Sequence, residues 1–365
     1  MSGEGRARSR ELGLAPGDLP TGPVNAITDV AGVRVGHTTL IEGASIRTGV
    51  TAIVHDLLIR RGTLPAGLAI FNGFGKMVGT TQITELGSIE TPVLLTGTLS
   101  VYRVADALLS YLHDQPAYAA TATLNPVVAE TNDGYLSDIW ARPVSAGHVR
   151  AALDAAAGGP VQEGCVGAGT GTGALGFKAG IGTSSRRVTL TGGAPVTLGA
   201  IVQANFGGLL TVGGVPVPPP PGEADRPPGG PDDPGRTEPA GAGNSCVIVL
   251  ATDAVLDSRQ LERVASRAFP AMARTGSDFA GHSGDYALAF STAAVRTQAG
   301  PDESVPGKDL DVIFTAAMEA TEEAILNSIF MAETTAGYLG HVRRAVPLDY
   351  VLALVSGRSA GTSGR

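Results

Sequence analysis

The stretch Gly241-Ala-Gly-Asn-Ser-Cys-Val-Ile-Val-Leu250 changes character at its middle. Glycines on its amino-terminal side leave the backbone free to adopt many conformations. From Cys246 to Ala251 every residue is apolar, the continuous pattern of a strand covered on both faces. A serine at the first position of such a strand is held rigidly while the chain before it contorts. That arrangement suits attack of the Ser245 hydroxyl on the Asn244 carbonyl, an N-to-O acyl shift whose ester water then cuts. The new α-amine, with an ordinary pKa near ~7.7–8.0, can act as general base for its own hydroxyl. Read alone, Asn244-Ser245, a common dipeptide, fits a plain passage from loop to strand better.

Upstream, ten of the 24 prolines fall between Val215 and Pro239. Proline removes a ladder donor and fixes φ, so this segment, up to residue 242, is expected to be a mobile, solvated surface loop. Further out, short apolar runs alternate with helical patterns. Strands are expected at Thr51–Val54, Leu68–Phe71, Pro92–Leu95, Val188–Leu190, Gly199–Ala204, Val247–Ala251 and Tyr286–Ser291. Val101, Val104, Ala105, Leu108, Leu109 and Leu112 share one helical face. Asp257 and Gln260 form a capping box ahead of Leu261, and Leu310–Ile329 carries a longer apolar stripe. The mixture implies an α/β or α+β layered domain. Residues 1–24, polar and bearing Arg6, Arg8 and Arg10, read as a flexible arm, leaving 25–365 as one catalytic domain.

Composition excludes several function classes. Hydrophobic residues are 43% and charged residues 16%, enough to bury a core. Net charge is −8 and no Lys/Arg-rich stripe occurs, so nucleic acid is not an expected partner. No run reaches the ~18 apolar residues of a membrane span. The two cysteines, Cys165 and Cys246, read as unpaired thiols of a cytoplasmic protein, and the six scattered histidines suggest no metal site.

Four further positions can carry chemistry. Ser283-Gly284-Asp285 precedes a strand, so its carboxylate can hold the Ser245 amine while the hydroxyl relays between them; an ordinary turn has the same residues. Asn205, at the end of a strand, can donate to an oxyanion or simply form the turn before Gly207-Gly208. Glu130, near Tyr135, can bind a substrate ammonium or stand as a solvated loop carboxylate. The glycine-rich runs Gly164–Gly173 and Asn72–Lys76 fit no nucleotide-loop template and read as close packing around a pocket. His282 adjoins Ser283 without a third orienting group.

In order along the chain, these pieces resemble the DmpA-type L-aminopeptidase/D-amidase-esterases and their relatives, the BapA-type β-peptidyl aminopeptidases. The resemblance runs from about Asn25 to about Val355. It is carried by Asn25-Ala-Ile-Thr-Asp-Val-Ala-Gly-Val-Arg-Val-Gly-His, Asn72-Gly-Phe-Gly-Lys, Pro126-Val-Val-Ala-Glu-Thr-Asn-Asp-Gly-Tyr, Gly167-Ala-Gly-Thr-Gly, Gln203-Ala-Asn-Phe-Gly, Asn244-Ser245, Ser283-Gly-Asp and Glu323-Ala-Ile-Leu-Asn-Ser. It implies a four-layer αββα sandwich, like the N-terminal nucleophile (Ntn) hydrolases but differently connected. It also implies a precursor cut into chains 1–244 and 245–365. Residue by residue, Ser245 matches the nucleophile, Asn205 the oxyanion donor, and Ser283 and Asp285 the pair contacting nucleophile and amine. Glu130 and Tyr135 match substrate-binding positions. The implied reaction removes an amino-terminal residue from a short peptide, amide or ester through an acyl-enzyme, without cofactor, in a homo-oligomer of αβ units. Two departures stand out: Asp285 replaces the glutamate of the β-aminopeptidases, and the proline-rich insertion is longer than usual. The competing readings are an ornithine-acetyltransferase-like acyltransferase, a family that uses threonine as nucleophile, and an uncleaved binding protein of the same fold.

Overall fold

In the computed structural model, which describes residues 5–220, 244–293 and 305–362, ten strands form two facing sheets. They are β1 (Val33–Glu42), β2 (Ile46–His55), β3 (Leu64–Gly73), β4 (Ser88–Ile89), β5 (Val93–Gly97), β6 (Val127–Thr131), β7 (Ile181–Thr189), β8 (Pro195–Phe206), β9 (Asn244–Thr252) and β10 (Gly284–Ser291). One sheet has the order β1-β2-β5-β6 and the other β4-β3-β10-β9-β8-β7. Pairing is antiparallel except for β5 with β6 and β9 with β10. Helices α1 (Val101–His113) and α2 (Ala146–Asp154) cover the smaller sheet. Helices α3 (Ser258–Ala265), α4 (Ala268–Thr275) and α5 (Leu310–Phe330) cover the larger one.

Three apolar layers hold this αββα stack together, and β9 shows how. Cys246, Ile248 and Leu250 face the helices, whereas Val247, Val249 and Ala251 fill the layer between the sheets. The period of two explains why the strand reads as unbroken apolar sequence. Helix α3 starts at the expected box: Asp257 Oδ1 accepts from Gln260 N at 2.7 Å, and Gln260 Oε1 accepts from Asp257 N at 3.2 Å. It lies tightly on β3 because Gly67 has no side chain; a Cβ there would sit 2.1 Å from Glu262 N.

Two expectations need correction. The amino-terminal arm is docked over residues 5–24. Ser9 is buried, and its N–H and hydroxyl both donate to Asn327 Oδ1, at 2.9 and 3.0 Å. Arg8 Nε lies 2.7 Å from Glu163 and Arg10 Nη2 lies 2.8 Å from Glu323. Two buried carboxylates need counter-charges, and the arm supplies them. Of the proline-rich segment, Val215–Pro216 pairs with Thr211–Val212 as a short hairpin, and 221–243 lie outside the described residues. Strands β1 and β6 were not expected as strands. In β1, Arg34, His37, Thr38 and Thr39 interrupt the apolar pattern; β6 contains Glu130.

Candidate active site

Strand β9 places Ser245 at its amino-terminal end between two neighbours. Across the antiparallel pair it stands opposite Asn205, and across the parallel pair opposite Gly284. Ser245 is buried and shares its face with Val247 and Val249, which point into the inter-sheet layer. Asn205 shares a face with Ile201 of the same layer. Directly opposite residues have Cβ atoms ~4.5–5.5 Å apart, so an amide and a hydroxyl there come within reach of one group.

The Asn205 amide is fixed in orientation. Its Oδ1 accepts from Gly173 N at 3.1 Å, and its Nδ2 donates to Asn132 O at 2.8 Å. An N–H only donates and a carbonyl only accepts, so these two partners settle which end is nitrogen. The second Nδ2 hydrogen is left for another acceptor. The run Gly164–Gly173 therefore does more than pack closely, because its last residue holds this amide.

On the other side of β9, Ser283 and Asp285 come together. Ser283 Oγ donates to Asp285 Oδ1 at 2.7 Å and Asn72 Nδ2 to Asp285 Oδ2 at 2.9 Å. The Cys246 backbone N–H also bonds to this carboxylate, which brings it to the Ser245–Cys246 link. Burial pushes the Asp285 carboxyl above its ordinary value, and the three donors pull against that rise. Asn72 reaches Asp285 because the β3–β10 register shifts there: Asp285 pairs with Asn72, Tyr286 with Ile70, and Phe71 is the extra residue of a bulge. The turn is close-packed, since a Cβ on Gly284 would lie 2.9 Å from Gly75 Cα.

The stretch Asn72–Lys76 continues across the site. Phe74 N donates to Ser283 O at 3.1 Å, and Lys76 N donates to Glu130 Oε1 at 3.0 Å. Glu130 is 2% exposed, so the solvated-loop alternative is wrong; β6 buries it. Lys76 Nζ lies 3.5 Å from Glu130 Oε1 and donates to Thr98 Oγ1 at 2.8 Å. Glu130 Oε2 is buried with no hydrogen-bond partner among the described residues. Burial raises the Glu130 carboxyl above its ordinary value against the pull of Lys76 and Thr98. Tyr286 lies in the fields of both Glu130 and Asp285, which, after burial, raise its phenol.

Tyr135 is held by its neighbours. Its ring stacks on His341 at 4.4 Å, and the Arg343 guanidinium lies 4.3 Å from its centroid. Arg343 in turn abuts Gly173, where a Cβ would meet Nε at 2.9 Å. His282 is exposed and edge-on to Phe74, with 5.8 Å between centroids. Cys165 and Cys246 are both unpaired. Among the described residues no cluster of three or more metal-ligating side chains occurs, and no helix is long and apolar enough to cross a membrane.

Sequence reasoning missed several contributors. Asn72 and Lys76 were noticed only as neighbours of glycines, and Asn132, Thr98 and Tyr286 were not singled out. Asp133 was also passed over: it is fully buried, and burial pushes its carboxyl up to about 7 against a hydrogen bond from Thr48. The one available signal was polar residues inside apolar strand-like runs, as in Val127-Val-Ala-Glu-Thr.

Comparison with known proteins places the chain in a family. The model of peptidase family S58 matches residues 25–343. The β-peptidyl aminopeptidase BapA of Sphingosinicella microcystinivorans is 40% identical over 93% of this chain and 89% of its own. The PH0078 protein from Pyrococcus horikoshii OT3 matches with a TM-score of 0.86 at 40% identity, covering 97% of this chain and 99% of that one. The L-aminopeptidase D-Ala-esterase/amidase from Ochrobactrum anthropi, described as a prototype for the serine aminopeptidases and a variant of the Ntn hydrolase fold, matches with a TM-score of 0.83. It is 38% identical, covering 96% of this chain and 99% of that one.

Proposed function

The chain belongs to peptidase family S58 and is a serine aminopeptidase of the Ntn hydrolase fold; from that premise we propose that Ser245 is its nucleophile, exposed as a chain terminus by scission of the Asn244–Ser245 bond. The observation that carries this reading is the register of β9, which sets Ser245 opposite Asn205 and next to the Ser283–Asp285 pair. The acyltransferase and uncleaved-binder alternatives lose ground to the family match.

Self-cleavage proceeds by attack of Ser245 Oγ on the Asn244 carbonyl, transfer of the acyl group from nitrogen to oxygen, and hydrolysis of the ester. The products are chains 1–244 and 245–365. In the mature enzyme the Ser245 α-amine, with an ordinary pKa near ~7.7–8.0, takes the hydroxyl proton as Oγ attacks the substrate carbonyl. Asn205 Nδ2 donates to the oxyanion. The amine then returns the proton to the leaving nitrogen, and water releases the acyl group. Asp285, supported by Ser283 and Asn72, holds the amine. Glu130 Oε2 receives the substrate's free ammonium, and Tyr135 binds or orients the substrate beside it. Substrates are short peptides, amides or esters with a free amino-terminal residue, and the BapA likeness supports β-residues among them. No cofactor takes part. The family resemblance supports a homo-oligomer of αβ units, and the unpaired thiols fit a reducing cytoplasm.

Intact mass and amino-terminal sequencing of the wild type and of Ser245→Ala test this. The wild type should give two chains, one beginning Ser-Cys-Val-Ile. The variant should remain one 36.8 kDa chain without peptidase activity. Continued processing at this bond in Ser245→Ala refutes the mechanism.

A further inference from the structure

We infer that Lys76 forms a subsite for a substrate carboxylate beside Glu130, so that the preferred amino-terminal residue carries ammonium and carboxylate on one carbon, as a β-aspartyl residue does. The inference rests on the reading of Glu130 as the receptor of the substrate amine.

Charge balance is the first argument. Glu130 is buried and already faces a cation, with Lys76 Nζ 3.5 Å from its Oε1. A substrate bearing only an ammonium brings a second cation against a single anion. Glu130 is buried, so on its side the excess is poorly screened, while water screens part of it at the Lys76 side chain, which is 37% exposed. A zwitterionic end brings one charge of each sign and leaves the group of four neutral, with each charge beside its opposite.

Geometry is the second argument. Glu130 Oε1 is occupied by the Lys76 N–H and faces Nζ, whereas Oε2 has no hydrogen-bond partner among the described residues. The ammonium of Lys76 has three hydrogens. One goes to Thr98 Oγ1 at 2.8 Å and one is directed at Glu130, leaving the third. The Lys76 side chain is 37% exposed. Nζ and Oε2 are separated by no more than 3.5 Å plus the width of one carboxylate, a gap that one carbon bearing both groups can bridge.

Position along the site is the third. Asn72 touches Asp285 beside the nucleophile and Lys76 touches Glu130, and both belong to one continuous stretch that bends at Phe74 and Gly75. Four residue steps span at most about 14 Å, room for one amino-terminal residue between the reacting carbonyl and the charged pair. In a β-aspartyl residue the scissile carbonyl is joined through one methylene to the carbon holding both charged groups. Hydrolysis forms the Ser245 Oγ–acyl bond, breaks the amide C–N bond as the Ser245 hydroxyl proton passes through the α-amine to the leaving amine, and consumes one water to release aspartate and restore the hydroxyl.

The test compares two p-nitroanilides, L-β-aspartyl and 3-aminobutyryl, which differ by carboxylate against methyl. Wild-type kcat/KM should favour β-aspartyl by on the order of tenfold, and Lys76→Met should reduce that ratio to about one or less. Both values come from the same preparation, so partial misfolding cancels. Lys76→Arg, which keeps the cation, should retain a preference above one. A wild-type ratio at or below one overturns the inference, as does a ratio that Lys76→Met leaves unchanged. If the wild type cleaves 3-aminobutyryl anilide in a Ser245-dependent way but shows no β-aspartyl preference, only this inference fails. If it cleaves neither compound nor β-alanyl p-nitroanilide, the β-aminopeptidase reading fails with it.

Discussion

Replacing Ser283 by alanine removes the 2.7 Å bond that its hydroxyl donates to Asp285 Oδ1 while leaving the other two donors, Asn72 Nδ2 and the Cys246 N–H. A hydrogen bond to a charged group contributes about 1.5–3 kcal/mol net. At 1.36 kcal/mol per pKa unit that corresponds to a rise of about one to two units, and the two remaining donors favour the lower figure. Burial already holds the Asp285 carboxyl above its ordinary value, and the loss of a donor to the ionised form moves it further up. Because the ionised carboxylate is the form that holds the Ser245 amine, the lower of the two ionisations on the acid limb of kcat/KM, below that of the amine itself near ~7.7–8.0, should move to higher pH by about one unit. Ser283→Thr should return it toward the wild-type position. The assay is a pH–rate profile on an amino-terminal p-nitroanilide, with Tm measured at each pH. A carboxyl whose folded pKa exceeds its unfolded value contributes fully below the ordinary carboxylate pKa and loses that contribution as pH rises through the folded value. Ser283→Ala should therefore also be less stable than the wild type at pH values where Asp285 is ionised. An acid limb that does not move in a folded Ser283→Ala enzyme refutes the assignment of Asp285.

Asn205→Ala, measured on mature two-chain enzyme, should lower kcat by about 10²–10³ with little change in KM; a loss under tenfold removes Asn205 from the oxyanion role. Asp133→Asn tests a buried acid. Its carboxyl is pushed up to about 7, so its contribution to stability is complete below an ordinary carboxylate pKa and lost as pH rises through 7. The full span is about 4 kcal/mol, an upper figure because the neighbouring structure can relax. In an uncut Ser245→Ala background, urea unfolding at pH 5 and pH 8 should show a smaller loss of stability for Asp133→Asn than for its parent. Glu163, also raised to about 7, keeps part of the slope. Identical slopes in the two proteins refute the buried-acid reading.

The parts of the fold that were legible in sequence are those fixed by nearby residues. The apolar run of β9 needs only the knowledge that both its faces are covered, and the Asp257–Gln260 cap is complete within four positions. The docked arm was not legible. Its polar composition is that of a frayed terminus, and what holds it is partners 155 and 313 residues away, Glu163 for Arg8 and Glu323 for Arg10. The site divides in the same way. Ser245, Asn205, Ser283 and Asp285 each lie at a strand end, a position that sequence pattern can locate. The Asn72 bond to Asp285 depends on a bulge in β3, and the Lys76 contact with Glu130 depends on β3 and β6 lying in different sheets that face one another. Neither has a local signature.

The order of the larger sheet has a consequence for folding and handling. Strands β9 and β10 come from beyond residue 244, yet they occupy its centre, with β3 and β4 on one side and β8 and β7 on the other. Helix α5, from the same later segment, is gripped by Arg10 and Arg186 of the earlier one. A cut at Asn244–Ser245 thus leaves two chains interlocked as one sheet, which cannot part without losing the β3–β10 and β8–β9 ladders. Before the cut, assembly is a unimolecular search aided by the tether; after it, recovery requires two separate chains to meet. Chain assembly must therefore precede scission, and a mature sample once denatured should regain activity only slowly and in a concentration-dependent way. Its working lifetime is set by the rate of unfolding rather than by an equilibrium.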